Sequence, residues 1–291
     1  YVLARVEDAT KKIVEELNIT GPFNIQYISK GSDVLCIECN LRASRSFPFI
    51  SKTMGVDFIE GATRLMVDES TADMPLPVVG TRNRPSAYVG VKAPMFSFTR
   101  LGGADPVLGV EMASTGEVAC FGADAHEAFL KAIMSTGFKL PEKSIALTIQ
   151  KDMLEEVVHH VWLLKEMGYE LISTAETKPF LDAKGIKSTL VPYATADGNN
   201  IRERISNDEI DLVVNLGTGS ASDAKSNFLS RRSAVDFGVP LLTNPQLFKM
   251  FVEALDKHKR GEIQFSQADS LFDYYSRENP DEVWTRTSEF H

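Results

Sequence analysis

The sequence predicts an α/β chain in two parts, an α+β unit built round a β-hairpin and then a doubly wound parallel sheet. Three observations carry that reading. Two apolar runs, 23–28 and 34–39, flank the turn-forming stretch Lys30-Gly31-Ser32-Asp33. A polar break containing a proline falls at Lys139-Leu140-Pro141-Glu142-Lys143. Beyond it, short apolar strands at 145–149, 170–173, 189–191, 212–215 and 240–243 alternate with helical segments.

Taken in order, residues 4–17 place Val6, Ala9, Ile13 and Leu17 near helical spacing, with Glu7 and Asp8 early, where the helix dipole favours acid. After the hairpin, 47–54 and 58–66 read as two short helices split by Gly55. A proline-rich loop over 74–85 leads to a strand at 88–92, a glycine-rich stretch contains a strand at 117–121, and 125–134 is helical. In the second part, the helix at 152–167 carries Leu154, Val157, Val158, Val161 and Leu164 on one stripe. The helix at 245–255 carries Leu247, Phe248, Phe251 and Leu255. The segment after Arg260 holds Phe265, Phe272, Tyr274, Tyr275 and Trp284, too many aromatics for a purely disordered tail, so partial docking is expected. The expected division is therefore 1–138, 139–258 and a polar tail 259–291.

Composition excludes some functions. Among 291 residues, 43% hydrophobic, 31 basic and 40 acidic side chains leave a formal charge of −9, which argues against a general nucleic-acid or anionic-membrane surface. No apolar run is long enough for a membrane span. Three cysteines and no secretory leader point to a reducing, intracellular compartment. Cys36-Ile37-Glu38-Cys39 has the spacing of half a zinc site, but no second pair exists, and a buried-strand role is expected for both thiols. His159 and His160 belong to no recognisable ligand set.

The hairpin concentrates candidate chemistry. Glu38 and Asn40 share a face of the second strand. A three-residue loop, the expected register, pairs Lys30 with Val34 and hence Gln26 with Glu38; a two-residue turn would put Gln26 and Glu38 on opposite faces. One carboxylate and two amide oxygens suit Mg²⁺ held jointly with phosphate. Arg42 and Arg45, three apart, would present two guanidinium groups to a polyphosphate if the chain turns helical there. Singly, each of these residues also reads as a turn former or a solvated charge. In the parallel sheet, ligands bind beyond the carboxyl ends of the strands. The loops at Ser173-Thr174-Ala175-Glu176-Thr177 and Asn215-Leu216-Gly217-Thr218-Gly219-Ser220 fall there, the second glycine-rich without being a Walker motif. Arg231 and Arg232 are adjacent and point about 100° apart on a helix, so they are not expected to share a ligand.

The run Ile37-Glu38-Cys39-Asn40-Leu41-Arg42-Ala43-Ser44-Arg45-Ser46-Phe47-Pro48-Phe49, with Ser51-Lys52 and Glu111-Met112-Ala113-Ser114-Thr115-Gly116-Glu117-Val118, resembles the carboxy-terminal part of the carbamoyl-phosphate synthetase large chain. The resemblance extends to about Leu255. It implies a partial ATP-grasp α+β unit followed by a methylglyoxal-synthase-like allosteric domain. It also implies ATP and Mg²⁺ or Mn²⁺ as cofactors, with Gln26, Glu38 and Asn40 as metal ligands and Arg42 and Arg45 near the nucleotide phosphates. The reaction implied is phosphorylation of carbamate by ATP. The partners implied are the rest of the synthetase chain, a glutaminase domain or subunit supplying ammonia, and a small-molecule effector, with arginine and urea or pyrimidine synthesis as the pathway. The compartment implied is cytoplasm or mitochondrial matrix. Because the adenine-holding segments of an ATP-grasp unit lie upstream of Tyr1, this chain alone is expected not to turn over ATP. The alternative reading is a regulatory small-molecule-binding module only.

For the effector, the resemblance implies Thr148, Thr174, Thr177, Tyr193, Asn215 and Asn227. Ala93 stands where ornithine-responsive bacterial members carry glutamate, which argues against an ornithine site. Leu154 and Tyr193 stand where bacterial members place phosphate-binding lysines. Asn227 with Tyr193 looks closer to animal-type chains that bind N-acetylglutamate, while pyrimidine-pathway chains bind a uridine nucleotide and phosphoribosyl pyrophosphate in the same domain. Methylglyoxal synthase activity itself is not expected, because that enzyme's glycine-glycine-aspartate-glutamine loop does not follow Asn215.

Overall fold

The computed structural model describes residues 1–74, 87–107, 114, 116–217, 224–265 and 269–278. Their elements run α1 (Val2–Glu16), β1 (Asn24–Lys30), β2 (Asp33–Asn40), α2 (Phe47–Met54), α3 (Phe58–Met66), β3 (Val89–Met95), β4 (Gly116–Gly122), α4 (Ala125–Ser135) and β5 (Ser144–Ile149). There follow α5 (Lys151–Glu166), β6 (Glu170–Ser173), α6 (Lys178–Ala183), β7 (Thr189–Leu190), α7 (Ile201–Ser206), β8 (Leu212–Leu216), α8 (Ala224–Asp236), β9 (Leu241–Leu242), α9 (Pro245–Lys259) and α10 (Leu271–Glu278). The chain packs as two compact units, one of Tyr1–Val89 with Asp269–His291, the other of Gly90–Ala268. The proposed division at 138 is one of composition; by packing, β4 and α4 group with the parallel sheet.

In the first unit, α1 lies on the hairpin, and the Tyr27 hydroxyl meets Thr10 Oγ1 at 2.9 Å. The hairpin itself departs from the expected register. Lys30 pairs with Asp33 across a two-residue turn, with Gly31 at φ 61° in its first central position as a type II′ turn requires. That turn alone would separate Gln26 from Glu38, yet they are Cα partners, because Ile37 is an extra residue in β2 and the ladder shifts between Gln26 and Tyr27. A β-bulge thus restores the pairing that the turn would have lost. Cys36 is exposed and Cys39 half-buried, which corrects the expected buried-strand role of both thiols, because the hairpin stands as a two-stranded sheet.

Asp57 caps α3, accepting from Ile59 N at 3.0 Å and Glu60 N at 2.9 Å. α10 returns to this unit: Tyr275 donates its hydroxyl to the Lys52 carbonyl at 2.6 Å, and Tyr274 meets Tyr88 edge-on at 5.7 Å. The expected docking of the aromatic tail therefore holds over 271–278; Trp284 lies outside the described residues. So do all but Met74 of the expected 74–85 loop, Glu111, Met112, Ala113 and Thr115 of the second motif, and Thr218-Gly219-Ser220.

In the second unit, β3 and β4 form a two-stranded sheet, and β5 to β9 form a five-stranded parallel sheet ordered β7-β6-β5-β8-β9. Alternation along β5 sets up two cores. Ile145, Leu147 and Ile149 pack with α4, α5 and α9 on one face, while Ala146 joins Val213 and Ile172 against α7 and α8 on the other. The start of β5 is fixed by Asp211, whose Oδ2 accepts from the backbone N–H groups of Glu142, Lys143 and Ser144 at 3.2, 2.6 and 2.8 Å. The chain runs outward from β5 through β6 to β7, then returns past β5 to β8 and β9. The topological switch point, where such sheets open a crevice, lies between the carboxyl ends of β5 and β8.

Candidate functional site

The first candidate site is the face of the hairpin that carries Gln26, Glu38 and Asn40. Pairing across an antiparallel ladder puts partners on one face, so Asn24, Gln26, Glu38 and Asn40 project together. Asn40 Nδ2 donates to Glu38 Oε1 at 3.0 Å, which confirms that the two side chains meet. Gln26 and Glu38 are exposed and Asn40 is half-buried. Every potential ligand atom here is a hard oxygen, the type Mg²⁺ and Mn²⁺ prefer. One carboxylate is too few for an all-protein cage, and among the described residues no group of three or more His, Cys, Asp or Glu is placed to hold a metal. The set fits a cation that takes most of its ligands from phosphate and water, as Mg²⁺ usually does.

Arg42 and Arg45 follow on an irregular segment rather than the helical turn that would have aligned them. The physical reason is Pro48, which a helix accommodates only in its first turn, so α2 starts at Phe47 with Ser46 as its cap. Both arginine side chains are exposed, and Arg42 Nη1 lies 3.5 Å from the Ala43 carbonyl.

The second candidate site is the switch point. Thr148 and Asn215 are direct partners across β5 and β8. Thr177, at the N-terminus of α6, bridges to β5: its hydroxyl accepts from Ile149 N at 2.9 Å, donates to Ile149 O at 3.2 Å, and lies 3.5 Å from Thr174 Oγ1. Asn215 Nδ2 donates to Asn227 Oδ1 at 3.3 Å. The structure thus gathers Thr148, Thr174, Thr177, Asn215 and Asn227 as buried polar residues near the carboxyl ends of the inner strands. Thr148 Oγ1 is wholly buried and has no hydrogen-bond partner among the described residues, which costs the desolvation of one hydroxyl. Tyr193 is half-buried on the connection from β7 to α7, next to Ala194, whose N–H donates to Ser226 Oγ of α8 at 2.9 Å. Beyond it, a polar cavity of about 310 Å³ is lined by Ala194 to Gly198, Arg202 and Lys225.

Sequence reasoning named Arg231 and Arg232 but missed that both are buried behind these strand ends. Arg231 Nη1 donates to Asn215 Oδ1 at 2.9 Å, and its Nε donates to Asp105 Oδ1 at 2.8 Å, with Nη2 bound to Asp105 Oδ2. Arg232 points elsewhere, as the 100° rule expects, and its Nη1 donates to the carbonyls of Phe98, Leu101 and Ala104, each at 3.1 Å. Its ion pair with Asp236 holds that carboxyl below the usual range. Gly217 lies in the glycine-rich loop that follows β8. At φ 95° it sits where a Cβ would come within 2.4 Å of Gln150 Oε1, so only glycine lets β8 end there.

Two family models match these units. A model described as carbamoyl-phosphate synthase L chain, ATP binding domain, covers residues 3–73, which hold α1, the hairpin, α2 and α3. A model described as MGS-like domain covers residues 156–243, from within α5 past β9. The chain is 47% identical over 277 residues, 94% of its length, to the mitochondrial carbamoyl-phosphate synthase [ammonia] of Homo sapiens. The chain is homologous to part of the carbamoyl-phosphate synthases. It is also 45% identical over 276 residues to the multifunctional protein pyrABCN of Emericella nidulans and 44% identical over 266 residues to the multifunctional protein URA2 of Saccharomyces cerevisiae, covering 89% and 87% of its own length. It spans only 18% of the human synthase and 12% of each fungal protein. Within the chain, the hairpin face lies inside the ATP-binding match, and Thr174, Thr177, Tyr193, Asn215 and Asn227 lie inside the MGS-like match, with Thr148 eight residues before it. No helix among the described residues is long and apolar enough to cross a membrane.

Proposed function

We propose that this chain contributes to a carbamoyl-phosphate synthase the metal-bearing floor of its carbamate-phosphorylating site and, on the parallel sheet, an effector site. One observation carries the first part: Gln26 stands opposite Glu38, with Asn40 hydrogen-bonded beside it, on an open face of hard oxygen atoms. Glu38 supplies the negative charge, and Gln26 and Asn40 the neutral oxygens, that would hold Mg²⁺ or Mn²⁺. A bound cation neutralises charge on the ATP phosphates during transfer. Arg42 and Arg45, both exposed, supply further positive charge. In the reaction a carbamate oxygen attacks the γ-phosphorus of ATP, its bond to the β–γ bridging oxygen breaks, and carbamoyl phosphate and ADP result.

The effector reading rests on the switch-point cluster. Its groups are hydroxyls and amides, and Arg231, the guanidinium within it, is already neutralised by Asp105. That chemistry favours a small carboxylate-and-amide ligand of the N-acetylglutamate type over a polyphosphate. The remaining synthetase segments and an ammonia-supplying glutaminase complete the proposed assembly, in cytoplasm or mitochondrial matrix, serving arginine and urea or pyrimidine synthesis.

The test is a full-length synthase carrying Glu38→Gln. ATP formation from carbamoyl phosphate and ADP should fall about 100-fold or more, the usual cost of removing one preorganised electrostatic contact. Unchanged turnover would remove Glu38 from the site.

A further inference from the structure

The first unit holds a cavity that neither candidate site uses. About 720 Å³ of space opens between α2, the turn into α3, and α10, with apolar walls of Pro48, Val56, Ile59, Leu271 and Phe272. That volume falls in the range of small-molecule sites, roughly 300–1,000 Å³. None of Gln26, Glu38, Asn40, Arg42 and Arg45 lines it, so it is separate from the proposed metal and phosphate floor.

Named bonds hold its walls in place. Gly55, at φ 64°, ends α2 in the left-handed conformation and turns the chain. Ser51 Oγ accepts from Phe58 N at 3.3 Å, which ties α2 to the start of α3, and the Asp57 carboxylate caps α3. On the α10 side, Tyr275 donates to Lys52 O at 2.6 Å, and its ring centre lies 6.4 Å from that of Tyr88. α10 is thus pinned to α2 beside the cavity.

The same bonds decide what the cavity can recognise. Ser51, Asp57 and Tyr275, three of the four polar side chains in the lining, are committed to backbone groups. Lys52 is the fourth: its side chain is exposed, and its ammonium has no hydrogen-bond or ion-pair partner among the described residues. The lining therefore offers apolar surface and one positive charge on a flexible four-carbon stem. Asp57 is exposed in the same lining, so further negative charges on a ligand would be repelled. A monoanion fits where a polyphosphate does not.

We propose that this cavity binds an amphipathic monoanion, with an aromatic or branched aliphatic body between the helices and one carboxylate or sulfonate against Lys52. Because Leu271, Phe272 and Tyr275 form part of the lining, occupancy holds α10 against α2 and α3.

The experiment titrates the 291-residue chain with 8-anilinonaphthalene-1-sulfonate, an aromatic monoanion that brightens on leaving water, and with N-phenyl-1-naphthylamine, the same body without the charge. Both should bind saturably. At ten times its dissociation constant the sulfonate should slow amide exchange about tenfold in α2, the start of α3 and α10. Protection centred instead on α1 or the hairpin, where Leu3, Leu35 and Ile37 are exposed, overturns the proposal. Lys52→Gln should weaken the sulfonate about threefold to fivefold, the scale of one exposed ion pair, and leave the neutral probe unchanged. Equal sulfonate affinity in the two proteins overturns the anion assignment. Val56→Trp fills the cavity and should weaken both probes about tenfold or more through lost apolar contact. Undiminished binding by a Val56→Trp protein that melts cooperatively overturns the site. Should that variant not fold, the exchange map of the wild type decides alone.

Discussion

Arg231 donates through Nη1 to Oδ1 of Asn215 at 2.9 Å while its other nitrogens grip both carboxylate oxygens of Asp105, 126 residues earlier in the chain. The guanidinium is buried and the carboxylate is 39% exposed, so the two ends of this ion pair respond differently to mutation. Replacing Arg231 with Met leaves Asp105 free to return to water but strips Asn215 of a donor, for a loss of about 1–3 kcal/mol. Replacing Asp105 with Ala strands a buried positive charge and should cost more, about 3 kcal/mol. Urea unfolding of the two variants measures the difference, and the reverse ranking would contradict the burial argument.

Asp211 is the acceptor for three successive backbone donors at the entry to β5. Asp211→Ala leaves those N–H groups without it, two of them in the exposed linker and one at the buried Ser144. The expected loss is about 2 kcal/mol, with Asp211→Asn recovering roughly half because one oxygen remains. Thermal unfolding should rank the three proteins in that order.

The second unit should weaken in acid. Glu253 accepts from His160 and His126, and these hydrogen bonds hold its carboxyl below the ordinary value of 4.5. Burial pushes Asp124 upward, but Lys257 and the Glu127 N–H outweigh it and bring the carboxyl below 3.8. A carboxylate depressed in the folded state stabilises fully above its unfolded value and loses that contribution as pH falls through its folded value. The contribution of these two carboxylates to the α4–α5–α9 packing should therefore be fully present above about pH 4.5 and decline below it. Glu253→Gln and Asp124→Asn should each make the decline shallower. A pH profile of urea midpoints unchanged by both substitutions would exclude this origin.

What the sequence made legible follows from what periodicity can carry. The helix stripe of Leu154, Val157, Val161 and Leu164 and the apolar strands at β5 and β8 report burial directly, and they emerge as core. The register of the hairpin is harder to read. The expected Gln26–Glu38 pairing is present, yet through a two-residue turn compensated by a bulge at Ile37, and no residue type marks a bulge in advance. α8 was unreadable for a related reason. Its buried residues are Ser226, Asn227, Ser230, Arg231, Arg232, Ser233 and Ala234, so its inward face has almost no apolar signal. Those polar groups are stabilised by partners such as Asp105 and the Phe98 carbonyl, over 120 residues away, which spacing cannot reveal.

Thr148 and Thr177 allow the effector site to be separated from the fold that holds it. Thr177 makes two hydrogen bonds to the backbone of Ile149, so Thr177→Val breaks both and should destabilise by about 1–3 kcal/mol. Thr148 Oγ1 is buried without a partner among the described residues, so Thr148→Val replaces a poorly solvated hydroxyl with a methyl group of the same shape. That exchange should be neutral or stabilising by about 1 kcal/mol. If the hydroxyl serves a ligand, the same variant should lose effector affinity about tenfold, the worth of one hydrogen bond. Calorimetric titration with N-acetylglutamate, a uridine nucleotide and phosphoribosyl pyrophosphate, run beside thermal unfolding, reads both quantities. A Thr148→Val protein that is as stable as the wild type but binds more weakly assigns the hydroxyl to the ligand. One that is clearly less stable assigns it to the fold and leaves the switch point without its leading evidence for a site.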